Sequence, residues 1–246
     1  MIKKSPLIDS ASILVIRDNM KTGALEILMV KRHKDIAFAG GAYVFPGGKV
    51  DEDDLLFDHK DTTFPVGYSE LIYTAFREVF EESGLIIGSS EGAIDYRQAL
   101  LDGELTFANF IKKANVNFSF ENIVPFARWI TPKIYPKRFD TRFFLACAPQ
   151  GQDAFPDYSE IVEVKWVEPL EFIDEFKEEL MFPTLMNLKL LGEASTVQQA
   201  MSHAEARKII TVEPKIVDGL RVIDPASGYG EVDQNNIHSG IKTDDK

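Results

Sequence analysis

The chain reads as an α/β protein. Short runs rich in β-branched and aromatic residues are interleaved with amphipathic stretches of helical period. At 246 residues and 45% hydrophobic content, one large domain or a domain with an added lobe can bury a full core. In order, "ASILVIRD" (11–18) and "ALEILMVKR" (24–32) are predicted strands joined by a turn around Lys21-Thr22-Gly23. "AYVF" (42–45) runs into Pro46 and the pair Gly47-Gly48. A helix is expected over Glu70 to Ser83, with Ser69 as its N-cap and Gly84 as the left-handed stop. "IVPFARWIT" (123–131), "RFFLACA" (142–148) and "EIVEVKWVEP" (160–169) are three more strands. "PLEFIDEFKEEL" (169–180), "FPTLMNLKLLGEA" (182–194, begun by Pro183) and "VQQAMSHAEARKI" (197–209) complete the helices.

Composition narrows the functional classes. A formal net charge of −12 argues against generic binding to nucleic acid or an anionic membrane. No run of eighteen apolar residues is present, and "MIKKSPLIDS" lacks a signal-peptide apolar core, so a cytoplasmic location is expected. Cys147 is the single cysteine and sits in an apolar run, which reads as a structural thiol. His33, His59, His203 and His238 are scattered without zinc-ligand spacing.

The predicted helix 70–83 carries the chemistry. Leu71, Ile72, Ala75, Phe76, Val79 and Phe80 fill one half of its wheel, while Glu78, Glu81 and Glu82 gather on another arc beside Arg77. Acids three and four apart on a helix repel. A hard divalent cation turns that repulsion into coordination, since Mg²⁺ takes carboxylates and keeps water in its other positions. Upstream, adjacent glycines at 47 and 48 let a ligand approach the backbone closely.

Together, "GG" and "REVFEESGL" resemble the box of the Nudix hydrolases, G-x5-E-x7-R-E-U-x-E-E-x-G-U with U bulky and apolar. Gly48 opens it, and Arg77, Glu78, Val79, Glu81, Glu82, Gly84 and Leu85 match its second half throughout. The first half departs: 28 residues separate Gly48 from Arg77 where the pattern has 13. An insertion, "LLFDHKDTTFPVGY", therefore lies within the box, and Asp54 stands where the first glutamate belongs.

The resemblance implies the Nudix fold, an α/β/α sandwich with a mixed sheet, here with a C-terminal helical extension over about 182–210. A single domain is expected over 8–225, with the insertion at about 55–69 and a flexible tail over 226–246. It also implies hydrolysis of a diphosphate linked to a group X, with Mg²⁺ or Mn²⁺ held by Glu78, Glu81 and Glu82 and the Gly48 carbonyl. Arg77 would orient those acids. The general base is open between Glu81, Glu82 and Glu160, the last because family members carry an acid at the start of such a strand.

Substrate class must come from outside the box. Leu28, Arg32, Gly41, Phe45 and Pro46 match part of a motif of the coenzyme A diphosphatases, with Lys34 in place of its second arginine. "RWITPKIYPKRFDTRFFLA" (128–146), the insertion and Pro183-Thr184 resemble the longer branch that includes the peroxisomal acyl-coenzyme A diphosphatases. Arg32, Lys137, Arg138 and Arg142 are the basic residues expected near substrate phosphates. The resemblance leaves three readings open: cleavage of coenzyme A or an acyl derivative; cleavage of a nucleotide sugar, dinucleotide or nucleoside triphosphate; or a non-catalytic ligand sensor. The expected partner is a small-molecule diphosphate, without nucleic acid or membrane, and a homodimer is compatible with the sequence.

Overall fold

A computed structural model of the chain describes residues 6–56, 64, 68–217 and 220–230. The long strand β1 (Leu7–Asp18) turns at Asn19–Gly23 into β2 (Leu25–Arg32), and Gly23 has φ +74°, a conformation glycine adopts without strain. Short strands β3 (Tyr43–Val44) and β4 (Gly47–Lys49) lead towards the box helix α1 (Ser69–Ser83). Next come β5 (Gly88–Ser89), α2 (Arg97–Leu101), α3 (Phe107–Lys113) and β6 (Asn117–Phe118). The sheet resumes with β7 (Ile123–Ile130), β8 (Arg138–Cys147) and β9 (Ile161–Val167). Helices α4 (Pro169–Phe176), α5 (Phe182–Leu191) and α6 (Val197–Ala206) and a small hairpin, β10 (Lys215–Val217) and β11 (Leu220–Val222), follow.

Seven strands form one mixed sheet. Its order is β3-β2-β1-β8-β7, with β4 also on β1 and β9 also on β2. Among the described strands of this sheet, only β1 and β8 run parallel, over ten paired residues from Leu7–Arg138 to Ile16–Cys147. Along β1, alternate side chains go to opposite layers. Ile13 and Val15 pack with α1, α2 and α3, whereas Leu14 and Ile16 pack with α4, α5 and α6. That is the α/β/α arrangement.

One edge of β1 is shared between two partners. Near the hairpin it pairs with β2 (Ile16–Ile27), and farther down with β4 (Ser12–Gly47 and Ala11–Gly48). Pro46 enters where the partners change, its carbonyl accepting from Ile13 N–H at 2.9 Å and Ser12 Oγ at 3.0 Å. This divided edge delivers the glycine pair to the foot of α1.

Several expectations are corrected. Ser69 is the first helical residue; the capping position is Tyr68, which makes no side-chain capping bond. Tyr68 is held instead by packing edge-on against Phe144. Strand β8 begins at Arg138, four residues before the apolar run, because polar positions can pair with β1 as readily as apolar ones. The tail is anchored as far as Gly230. Tyr229 is buried and bonds Trp129 Nε1 at 3.0 Å and Asn187 Oδ1 at 2.6 Å. The remaining tail, 231–246, and most of the insertion within the box lie outside the described residues.

Candidate active site

Helix α1 buries its apolar face against the sheet and the α2–α3 layer, with Phe80 stacked on Phe110 at 4.7 Å. The acidic arc is thereby turned towards β4. At Gly48 the position of a β-carbon lies 2.1 Å from Glu78 Oε1, so any side chain there would displace the carboxylate. Gly47 is equally tight, with its β-carbon position 2.5 Å from the Ala11 carbonyl oxygen. Its N–H donates to Glu82 Oε2 at 3.0 Å. Glycine is therefore required at 47 by contact with the β1 backbone, and at 48 it leaves the space that the Glu78 carboxylate occupies.

Arg77 is the hub of the cluster. Its Nη1 donates to Glu78 Oε1 at 2.9 Å and to Glu81 Oε2 at 3.0 Å. Nε and Nη2 grip Asp54 at 3.0 and 2.9 Å, and Nη2 also reaches the Lys49 carbonyl at 3.1 Å. Asp54 is itself 1% exposed and accepts from Thr74 Oγ1 at 2.8 Å. It thus ties the chain after β4 to α1 and fixes the guanidinium plane that orients two of the acids.

Burial and crowding leave these acids short of positive charge. Burial raises the Glu78 carboxyl to about 7 against the pull of Arg77, with Glu81 and Asp54 adding to the rise. Burial likewise lifts Glu82 far above the carboxylate range, and the Glu78 charge lifts it further. Glu81 is shifted upwards for the same primary reason. On the far side, Arg32 Nη1 lies 3.5 Å from Glu82 Oε1 and Nη2 lies 3.5 Å from Glu160 Oε2. Glu160 is presented by a loop in which the Asp157 carboxylate accepts from Ser159, Glu160 and Ile161 N–H at 2.6, 2.6 and 3.1 Å.

Among the described residues, no three His, Cys, Asp or Glu side chains already converge as a ready-made cation cage. Arg77 and the Gly47 amide hold the carboxylates apart. The donor set nevertheless suits a hard divalent ion: three mostly buried carboxylates face a strand whose glycine leaves the backbone bare.

The structure thus gathers Gly48, Arg77, Glu78, Glu81, Glu82, Arg32 and Glu160 into one connected set. It does not link Lys137, Arg138 or Arg142 to that set. Arg138 donates to the Thr131 carbonyl at 2.9 Å and Glu213 at 2.9 Å. Arg142 pairs with Asp140 at 2.7 Å and Asp9 at 3.2 Å, and Lys137 stands over the Phe139 ring. Residue pairing across β4, β1 and β8 puts Gly48, Ala11 and Arg142 in one row, with Arg142 two strands from the glycine. Arg97 and Asp157 are absent from the sequence reading. Asp157 heads "DYSE", the only local cue, since aspartate often accepts from the amide two residues on.

Residues 58–187, more than half of the chain, match the family model described as the NUDT19 Nudix domain. The chain belongs to the Nudix hydrolases. Among its Nudix relatives, a Caenorhabditis elegans protein named for that family, nudix hydrolase 7, is 26% identical over 225 residues, 88% of this chain and 73% of that protein. The acyl-coenzyme A diphosphatase NUDT19 of Xenopus laevis is 23% identical over 212 residues, 63% of this chain. The matched part spans 56% of that relative's length. A crystal structure of a NUDIX hydrolase from Alicyclobacillus acidocaldarius superposes with a TM-score of 0.70 at 25% identity, covering 80% of this chain and 96% of that one. Among the described residues, no helix of this Nudix protein is long and apolar enough to cross a membrane.

Proposed function

We propose that the protein is a metal-dependent diphosphatase that cleaves the diphosphate linkage of coenzyme A or an acyl-coenzyme A. The observation that carries the chemistry is the buried Glu78–Glu82 pair, oriented by Arg77 and Gly47 and left with an excess of negative charge. Support for the substrate is the NUDT19 match and the part-motif around Arg32.

Glu78, Glu81 and Glu82, with the Gly48 carbonyl, would hold Mg²⁺ or Mn²⁺. When bound, the ion neutralises diphosphate oxygens and makes water acidic enough to ionise near neutral pH. Arg77, itself locked by Asp54, keeps Glu78 and Glu81 in place. Arg32 lies between Glu82 and Glu160, and its Nε is buried with no partner among the described residues, leaving a donor for a substrate phosphate. Glu160, at the exposed end of this line, is the group best placed to take a proton from the attacking water; Glu81 is the alternative base. Lys137 is a further contact for the substrate, whereas Arg138 and Arg142 would have to exchange carboxylate partners to reach a phosphate. Residues 8–225 act as one catalytic unit in this reading, and the protein works in the cytoplasm, as a monomer or a homodimer.

One feature favours a different substrate with the same chemistry. Lys34 replaces the second arginine of the coenzyme A motif, so a nucleotide sugar, dinucleotide or nucleoside triphosphate is the second reading. A sensor without catalysis has no need to bury mutually repelling acids.

The test is a panel of coenzyme A, an acyl-coenzyme A, ADP-ribose and NADH, each with Mg²⁺ and with Mn²⁺. Coenzyme A or its acyl derivative should have the highest kcat/KM. Turnover of ADP-ribose or NADH alone would replace the substrate assignment, and no turnover of any of the four would remove the catalytic one.

A further inference from the structure

We infer that Arg97 is a positioning residue for Glu81 and Glu82, acting through the last turn of α1. The inference rests on the reading of those acids as metal ligands. Arg97 opens α2 and is 5% exposed. Its Nε and Nη2 both donate to the main-chain carbonyl of Glu81, at 3.1 and 2.8 Å.

That carbonyl needs an outside donor. The last four carbonyls of a helix have no partner within it. Gly84, at φ +77°, turns the chain and returns its N–H to the Phe80 carbonyl at 2.8 Å. The next amide, Leu85, faces Ser83 Oγ at 3.4 Å and is lost to Glu81. Arg97 fills the gap with a fork of N–H groups, and a cation at this end also suits the helix dipole.

The same guanidinium lies 4.8 Å from the centre of the Phe155 ring, and Phe155 N–H donates to the Ser83 carbonyl at 3.0 Å. A β-carbon at Gly84 would meet Ile94, Arg97 and Phe155 at 3.3 to 3.4 Å, so the cap is closed on three sides. Two residues beyond Phe155 stands Asp157, which holds the Glu160 amide at 2.6 Å. Arg97 therefore joins the turn carrying Glu81 and Glu82 to the segment carrying Glu160. Helix ends fray when their carbonyls lack partners. Here fraying would move Glu81 and Glu82 relative to Glu78, which sits a turn earlier and is fixed by Arg77 and Gly48.

The test uses the full chain and Mn²⁺ alone, titrated calorimetrically, alongside kcat and KM on the best substrate of the panel. Arg97→Gln should bind Mn²⁺ about tenfold more weakly, the lower range for groups that orient metal ligands, and lose a similar factor in kcat with KM nearly unchanged. Arg97→Lys keeps the charge without the fork and should lose about threefold in both. A folded Arg97→Gln with wild-type Mn²⁺ affinity and kcat would overturn the proposal. If that variant does not fold, wild-type affinity in Arg97→Lys overturns it equally. Glu82→Gln separates the two levels. Mn²⁺ binding lost there but intact in Arg97→Gln sinks only the role of Arg97, whereas a wild type that binds no Mn²⁺ sinks the metal reading and this inference with it.

Discussion

Two charged networks on this sheet are built on opposite principles. Around Asp140, on β8, one carboxylate meets two guanidinium groups: Arg128 in a two-bond fork at 3.0 and 2.7 Å, and Arg142 at 2.7 Å. The hydrogen bond to Asp140 raises the Arg128 pKa. Around Arg77, one guanidinium serves Asp54, Glu78 and Glu81, while Glu82 has, among the described residues, only the distant Arg32 and an amide. Burial shifts all three box carboxyls upwards, Glu78 and Glu82 out of their ordinary range. A network whose charges are matched holds strands together. One left with surplus negative charge at a bare backbone suits a cation from outside, which is the role proposed for it.

The sharpest way to break this contrast is to neutralise one acid on each side. Glu82→Gln should lose more than about 10²-fold in turnover, beyond the upper range for groups that only orient metal ligands, because it removes a ligand itself. Its thermal midpoint without metal should equal or exceed that of the wild type, since a side chain whose ionisation burial opposes has gone. A lower midpoint would mean the acids are structural. Asp140→Asn should do the reverse. It takes the carboxylate from Arg128 and leaves Arg142 to its pairing with Asp9, and should cost about 1–3 kcal/mol in denaturant unfolding, a range reduced for the partial exposure of Arg128, with Mn²⁺ affinity unchanged.

The pH dependence sharpens the same comparison. A Glu78 carboxyl titrating at about 7 in the folded apo protein, against about 4.3 unfolded, binds more protons folded than unfolded between those values. Apo stability should therefore fall as pH rises from about 4.5 to 7, and the raised Glu81 and Glu82 carboxyls act in the same direction. Mn²⁺ competes with that proton, so the shift in melting temperature at fixed Mn²⁺ should be larger at pH 8 than at pH 6. An equal shift at both would detach Glu78 from the ion. The smallest effect is expected for Lys137→Ala, with KM for the preferred diphosphate raised about threefold, the scale of one exposed ion pair. An unchanged KM would take Lys137 out of the substrate site.

Much of the site was legible because it is local. Arg77, Glu78, Glu81 and Glu82 fall within six residues of one helix, whose 3.6-residue period and terminal Gly84 can be read without knowing the fold. The glycines were legible as a pair, but not their reason: Gly48 must be bare because Glu78, 30 positions later, lies on it. The partnership of Arg77 with Asp54 crosses the insertion, and the Arg97 cap joins residues 16 apart through a five-residue helix too short to show a period. Arg142 illustrates the converse. A basic residue in a strand looks available until the register reveals Asp140 and Asp9 around it.

The pinned end of the inserted segment has an evolutionary corollary. Chain leaves the box at Asp54, hydrogen-bonded to Thr74 and Arg77 of α1, and returns at Tyr68, immediately before the same helix. With departure and return moored to one rigid rod, the span between them can lengthen at roughly 0.6 kcal/mol per doubling. Natural variation can therefore change the length of that span while the acids of α1 keep their places.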